Sequence, residues 1–393
     1  MRACALVPHL LIALAASAAT AQFIAIPPLV APAPRASHVY GSSVCCWEGG
    51  VLVAGHRMLR DNTQRSGRRS APWLAEVLGQ AVRELTWPPP YLNVPDPDGI
   101  RVCGAVGARV AVVAEGKRDR RRVSRLLLWD GRDWEMLPLV TGTIHSVVEH
   151  EGRLVIGGEF PVNETTALHV LSLNDGEWLP FGGGLPLPRT IVEVLPWQGT
   201  LVAVGDPWDR ATDNVRCLWL WRHGHWSPLG PEFRSGRGLM VKAVVWNDRL
   251  VVGGTFTALD GAPSAGLFIL DADGTLAEPE AAAGRYRSAL PLVIPAGVWD
   301  GRLVLRPLQP WARSVSLLLL DGAELTPMPR MPTGQPMMYA QGDVSIRGRE
   351  MAVLAFGDFT GAGIPNDNVF GRRQLACWRD GSWWVPSLEV LEE

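Results

Sequence analysis

Trp246-Asn247-Asp248-Arg249-Leu250-Val251-Val252-Gly253-Gly254 is the stretch on which the architecture turns. An aromatic residue leads into a polar turn, and the turn opens an apolar run that ends on paired glycines. The pattern recurs as Trp47-Glu48-Gly49-Gly50-Val51-Leu52-Val53-Ala54-Gly55 and as His150-Glu151-Gly152-Arg153-Leu154-Val155-Ile156-Gly157-Gly158. It returns at Trp197-Gln198-Gly199-Thr200-Leu201-Val202-Ala203-Val204-Gly205 and at Trp299-Asp300-Gly301-Arg302-Leu303-Val304-Leu305. Weaker copies start at Val106 and Arg347. The first apolar anchors are Val51, Val110, Leu154, Leu201, Leu250, Leu303 and Met351. Their spacing of about 44 to 59 residues is the length of a four-stranded propeller blade.

The second half of each unit agrees. Leu126-Leu127-Leu128-Trp129-Asp130-Gly131-Arg132-Asp133-Trp134 sets an apolar run, an Asp-Gly turn and a Trp-led run in series. Trp178, Trp226 and Trp383 lead the corresponding runs elsewhere, and Leu276 and Leu325 replace the Trp in two units. Asp-Gly between apolar runs supplies the positive φ of a tight hairpin. Proline follows the Trp-led run at Pro138, Pro180, Pro228, Pro327 and Pro386, where an outer edge strand can spare a donor. The reading is an all-β, seven-bladed β-propeller of four-stranded antiparallel blades, strands A to D. Strand A precedes the Trp turn, as in residues 241–245, and strand B follows it. The 17 tryptophans are expected mainly between blades. Unit one is the least regular: residues 73–85 could form a short helix, with Trp87-Pro88-Pro89-Pro90 as its strand D. His38 to Tyr40 is a candidate to complete the last blade and close the ring.

Gly157-Gly158-Glu159-Phe160, its twin Gly253-Gly254-Thr255-Phe256, and the downstream Trp178 carry a family likeness. In these features the repeat resembles the kelch-like propellers, and it is also similar to the propeller repeats of fungal cell-polarity cortical markers. The likeness implies the propeller fold over about residues 40 to 390. Copper-radical oxidases on kelch-like blades need ligating Tyr and His. The tyrosines here are Tyr40, Tyr91, Tyr286 and Tyr339, none in a suggestive setting beside a His.

Residues 1–21 read as a secretory signal: Arg2 is the positive start, residues 6–16 the apolar core, and Ala19-Thr20-Ala21 the small-x-small cleavage pattern. Residues 22–37 are a Pro/Ala-rich leader, and residues 38–393 one propeller domain. No later stretch reaches the roughly 20 apolar residues of a spanning helix, so no membrane span is expected after signal removal. A secreted protein, extracellular or periplasmic and monomeric, is the expectation. The net charge of −2 argues against a general appetite for nucleic acid. Removal of the signal leaves Cys45, Cys46, Cys103, Cys217 and Cys377. Cys46 and Cys103 fall on the first two A strands with matching parity, a candidate cross-blade disulfide.

In a propeller the B–C and D–A loops share one face. Two B–C segments are strongly basic. The first holds Arg57, Arg60, Arg65, Arg68 and Arg69 against Asp61. The second holds Lys117, Arg118, Arg120, Arg121, Arg122 and Arg125 against Glu115 and Asp119. Neighbouring blades carry them, so they are expected to form one anion-binding patch for an acidic polysaccharide or an acidic protein. No phosphate loop, Gly-x-Ser-x-Gly turn or His-Glu-x-x-His motif is present, and no cofactor is expected. A non-enzymatic binding scaffold is the favoured reading. The rival is a carbohydrate hydrolase or lyase with carboxylates meeting in the channel, for which Glu149 and Glu193 are candidates.

Overall fold

The computed structural model describes residues 38–60, 68–78, 81–85, 99–162, 167–185, 191–205, 216–234, 241–256, 258–260, 262–263, 266–277, 293–307, 317–322, 324–329, 344–357, 372–379 and 382–384. The signal, the leader, Arg65 and Trp87 to Pro90 lie outside them.

Seven four-stranded antiparallel sheets form the ring. Blade 1 is β1(His38–Trp47), β2(Gly50–Arg60), β3(Arg68–Leu78) and β4(Ala81–Glu84). Blade 2 is β5(Gly99–Val106), β6(Arg109–Arg118), β7(Arg121–Trp129) and β8(Trp134–Thr141). Blade 3 is β9(Thr143–His150), β10(Arg153–Pro161), β11(Ala167–Asn174) and β12(Glu177–Pro180). Blade 4 is β13(Ile191–Trp197), β14(Thr200–Gly205), β15(Leu218–Arg222) and β16(His225–Pro228). In blade 5 a small sheet of β17(Phe233–Arg234), β20(Ala258–Leu259) and β21(Ala262–Pro263) is interleaved with β18(Val241–Trp246), β19(Arg249–Gly254), β22(Leu267–Leu270) and β23(Leu276–Ala277). Blade 6 is β24(Val293–Trp299), β25(Arg302–Pro307), β26(Leu318–Asp321) and β27(Glu324–Pro327). Blade 7 is β28(Val344–Arg347), β29(Glu350–Gly357), β30(Arg372–Arg379) and β31(Ser382–Trp384).

The A strands touch in succession, β1 to β5, β9, β13, β18, β24, β28 and back to β1, so the ring is closed. Closure differs from the expectation. His38 to Tyr40 pairs with Met58, Arg57 and His56 inside blade 1. Among the described residues every four-stranded sheet is built from its own stretch of chain, and blades 1 and 7 meet through apolar packing and side-chain hydrogen bonds, with no strand shared between them. The described residues of the 73–85 segment are likewise strand over 73–78 and 81–84, not helix. Ala, Leu and Glu favour a helix locally, but β3 is held along its length by β2, and strand D is β4.

Each blade is covered on both faces, so its inner strands read as continuous apolar runs instead of alternating ones. All four residues of β22 are buried, as are five of the six in β19. The outer strands β12, β16 and β27 are short and half exposed, and each ends in proline, which blunts an open edge.

Two features of the repeat have a direct cause. The first glycine of the Gly-Gly pair lies where the next blade's A strand crosses. A Cβ on Gly157 would stand 2.6 Å from Val194 Cγ2, and one on Gly253 2.7 Å from Pro295 Cδ. The tryptophan before the A–B turn spans to the next blade's turn: Trp197 Nε1 donates to the Asp248 carbonyl at 3.0 Å and Trp246 Nε1 to that of Gly301 at 2.8 Å. Trp299 Nε1 does the same to Arg349 at 3.0 Å.

The free inner edge of an A strand needs partners for its N–H groups, and side-chain oxygens of the preceding blade supply several. Ser43 Oγ accepts from Val102 N at 2.7 Å, Ser146 Oγ from Val194 N at 2.9 Å, and Ser345 Oγ from Cys46 N at 2.8 Å. Glu193 Oε2 accepts from Ala243 N at 3.3 Å.

Candidate functional site

The basic segment of blade 2 is not a loose loop. Strands β6 and β7 run on beyond the body of the blade as a paired hairpin, with Lys117 opposite Arg122 and Arg118 opposite Arg121. Asp119 and Arg120 form its two-residue tip with φ of 52° and 65°, the geometry of a type I′ turn. Lys117, Arg118, Arg120, Arg121 and Arg122 are all exposed. Cations placed directly opposite one another on an antiparallel ladder repel, at a cost of roughly 0.2–1 kcal/mol per pair. The backbone therefore holds a concentrated positive field in place.

The basic segment of blade 1 follows the same plan at the level of register. Arg60 pairs with Arg68, Leu59 with Arg69, and Arg57 with Ala71. Both hairpins are B–C connections of adjacent blades, since β5 packs against β1 and β2. They rise from the same face of the ring.

At the foot of the blade 2 hairpin, four consecutive A strands carry an ionisable residue at one height. Arg101 lies opposite Val113, Glu193 opposite Val204 and Lys242 opposite Gly253, each three residues past the B-strand anchor. His145 is the bulged residue between the Ser146–Gly157 and Ile144–Gly158 pairs. Sequence reading missed this arc, because the residues sit four or five positions before the A–B turn and two bulges shift the count. Counting back from that turn would have found it.

The arc is tied together. Arg101 Nε meets Glu115 Oε1 at 3.0 Å, and Arg101 Nη1 donates to the His145 carbonyl at 3.1 Å and to Cys103 Sγ at 3.3 Å. Burial, then the charges of Arg101 and Arg122, push His145 down to about 4 against the opposing pull of Glu115. The ring is neutral at physiological pH and feels Arg122 of the hairpin. Burial pushes the Glu193 carboxyl up from its ordinary range, against Lys242 and the Ala243 N–H.

The two candidate carboxylates are not brought together. Glu193 is at this end of its strand, whereas Glu149 is at the other, its Oε2 3.8 Å from where a Cβ on Gly107 of the neighbouring A–B turn would be. Among the described residues no cluster of three or more His, Cys, Asp or Glu could hold a metal. Cys46 and Cys103 are not joined and lie on different seams: Cys46 is buried between blades 1 and 7, and Cys103 packs between blades 2 and 3.

No protein-family model matches the chain, and no curated protein matches it. Solved structures do match, at the level of fold. The β-propeller domain of the Trilobed protease from Pyrococcus furiosus, described as having an open velcro topology, is similar with a TM-score of 0.51 and 14% identity. That match covers 90% of this chain and 99% of the other. An acylaminoacyl peptidase bound to a chloromethyl ketone is similar with a TM-score of 0.56 at 10% identity, over 89% of this chain and 52% of the peptidase. Pyrococcus horikoshii acylaminoacyl peptidase gives 0.53 at 12%, over 88% and 52%. The chain thus spans about half the length of those two peptidases, and its likeness to all three is that of a seven-bladed propeller.

Proposed function

We propose that this propeller is an exported, non-catalytic binding scaffold of kelch-like repeats that holds an acidic polysaccharide on its B–C face. The observation that carries the reading is the like-charge pairing of the blade 2 hairpin, Lys117 against Arg122 and Arg118 against Arg121. A fold that sets cations face to face on an ordered ladder gives up stability there, and such local conflicts concentrate at functional sites. A polyanion laid along the hairpin would relieve the repulsion and gain guanidinium contacts to its carboxylate or sulfate groups. The repeating charge of a polymer suits a ladder whose cations recur along two strands.

The test is retention of the protein, without residues 1–21, on immobilised acidic and neutral polysaccharides across a salt series. A variant with Arg118, Arg120, Arg121 and Arg122 changed to Ser is run beside it. Retention of the wild type on the acidic matrix that falls with salt, and is lost in the variant, is the expected result. Equal behaviour of the two proteins would remove the hairpin from the binding surface. Export is tested separately, by whether the expressed chain reaches the periplasm or medium without residues 1–21.

A further inference from the structure

The seam between blades 1 and 7 closes the ring without a shared sheet, and it holds two thiols. Cys46 of β1 and Cys377 of β30 are both 2% exposed and belong to one buried cluster with Val44, Val51, Val53 and Ala352. The row Ser345, Ala352, Cys377 runs straight across the blade 7 ladder. Directly opposed residues project from the same face of a sheet, and here that face meets blade 1. Cys46 is seated on this row. Its N–H is bound by Ser345 Oγ at 2.8 Å, its Sγ lies 3.3 Å from the Ser345 carbonyl, and it also bonds the Ala352 backbone. Cys377 is the cross-strand partner of Ala352. One strand spacing of about 4.8 Å therefore separates it from the backbone that Cys46 touches. Cys377 also feels the charge of Cys46 across the seam, and joining the two requires their Cα atoms to come within roughly 4.4–6.8 Å.

We infer that Cys46 and Cys377 are a disulfide site whose closure staples blade 1 to blade 7. The two thiols are unjoined in this structure, and burial pushes Cys46 up to about 12 and Cys377 up as well. A protonated, enclosed thiol does not attack, so the bond forms before blade 7 docks. One cysteine, as thiolate, attacks a donor disulfide such as oxidised glutathione and releases one donor thiol. The second cysteine then attacks the mixed disulfide and releases the other. Two protons and two electrons pass to the donor, which leaves as two thiols, and one S–S bond joins the seam.

The experiment refolds the full propeller, residues 22–393, from denaturant with a mixture of oxidised and reduced glutathione. Free thiols are then blocked with iodoacetamide under denaturing conditions and tryptic peptides are mapped without reduction. Cys45 and Cys46 share one tryptic peptide, residues 36–57, so a Cys45→Ala protein is mapped in parallel. The expected product in both proteins is the 36–57 peptide joined to the 374–379 peptide, lighter by two hydrogens than the sum, with one carbamidomethyl group added on Cys45 in the wild type. Reduction should lower the thermal midpoint by roughly 3–8 °C, and Cys377→Ser should lose both the joined peptide and this dependence. Alkylation of Cys46 and Cys377 in the refolded wild type overturns the inference, as does a link from either to another cysteine. The wild-type and Cys45→Ala maps do not depend on Cys377→Ser, so together they decide the matter even where that variant fails to fold.

Discussion

Acid should reveal His145 as a weak point of the ring, and its loss can be weighed in advance. The unfolded chain takes up a proton on this side chain below its ordinary value of 6.5, whereas the folded ring accepts it only near 4. Above pH 6.5 both states hold a neutral imidazole and stability is whole. As pH falls from 6.5 toward 4 the unfolded state gains protons that the folded state refuses, and stability drains away. The gap between the two values is worth about 3 kcal/mol at pH 4. Urea unfolding of wild type and His145→Gln at pH 7 and pH 4 isolates this contribution, because the carboxylates that also titrate are common to both proteins. The wild type should lose about 3 kcal/mol more than the variant between the two pH values. Equal losses would refute the burial and charge argument. A second arm tests the coupling to the hairpin. Arg122 is one of the charges holding His145 down, so Arg122→Gln should raise the midpoint followed by the imidazole ring NMR signals. Polyanion bound at the hairpin should raise it in the same direction.

Glu193→Gln should gain stability relative to wild type as pH rises, because a carboxyl pushed up on folding stabilises below the ordinary carboxylate range and costs above the folded value; parallel urea curves from pH 4 to 8 would show the divergence. Gly253→Ala should cost about 1–3 kcal/mol by unfolding, since its Cβ would meet Pro295 Cδ at 2.7 Å and the Val293 carbonyl oxygen at 2.8 Å. Trp246→Phe should cost about 1–2 kcal/mol through the lost bond to Gly301. Trp299→Phe should cost less, because its bond to Arg349 is exposed and water replaces it; equal losses in the two would speak against these bonds as the cause.

The blades were legible because their cause is local. An apolar run, a turn that needs positive φ and an edge strand ending in proline each leave a mark within a dozen residues, and all seven units carry most of them. Blade 1 was misread because β3 carries helix-favouring Ala, Leu and Glu, while its strand state is imposed by β2, a partner outside any local window. The basic segments were found by composition, but their order was not, since whether Arg118 faces Arg121 depends on register. The arc of Arg101, His145, Glu193 and Lys242 was hidden for the same reason. Each residue is ordinary on its own strand, and only the ladders to the B strands put them at one height. The seam partner of Cys46 lies at the far end of the chain, where parity alone does not choose between the two neighbouring blades.

A ring in which, among the described residues, no blade borrows a strand is also a ring that can change its number of parts. Duplication or loss of one unit of the gene would leave every remaining sheet whole. It would ask only that one pair of faces, newly brought together, match as the others do. The serine that reaches across at Ser43, Ser146 and Ser345 serves three such joints alike. Neighbours that recognise each other by a shared convention, rather than by individually fitted surfaces, are the kind of arrangement from which descendants with more or fewer blades can arise without the fold being lost on the way.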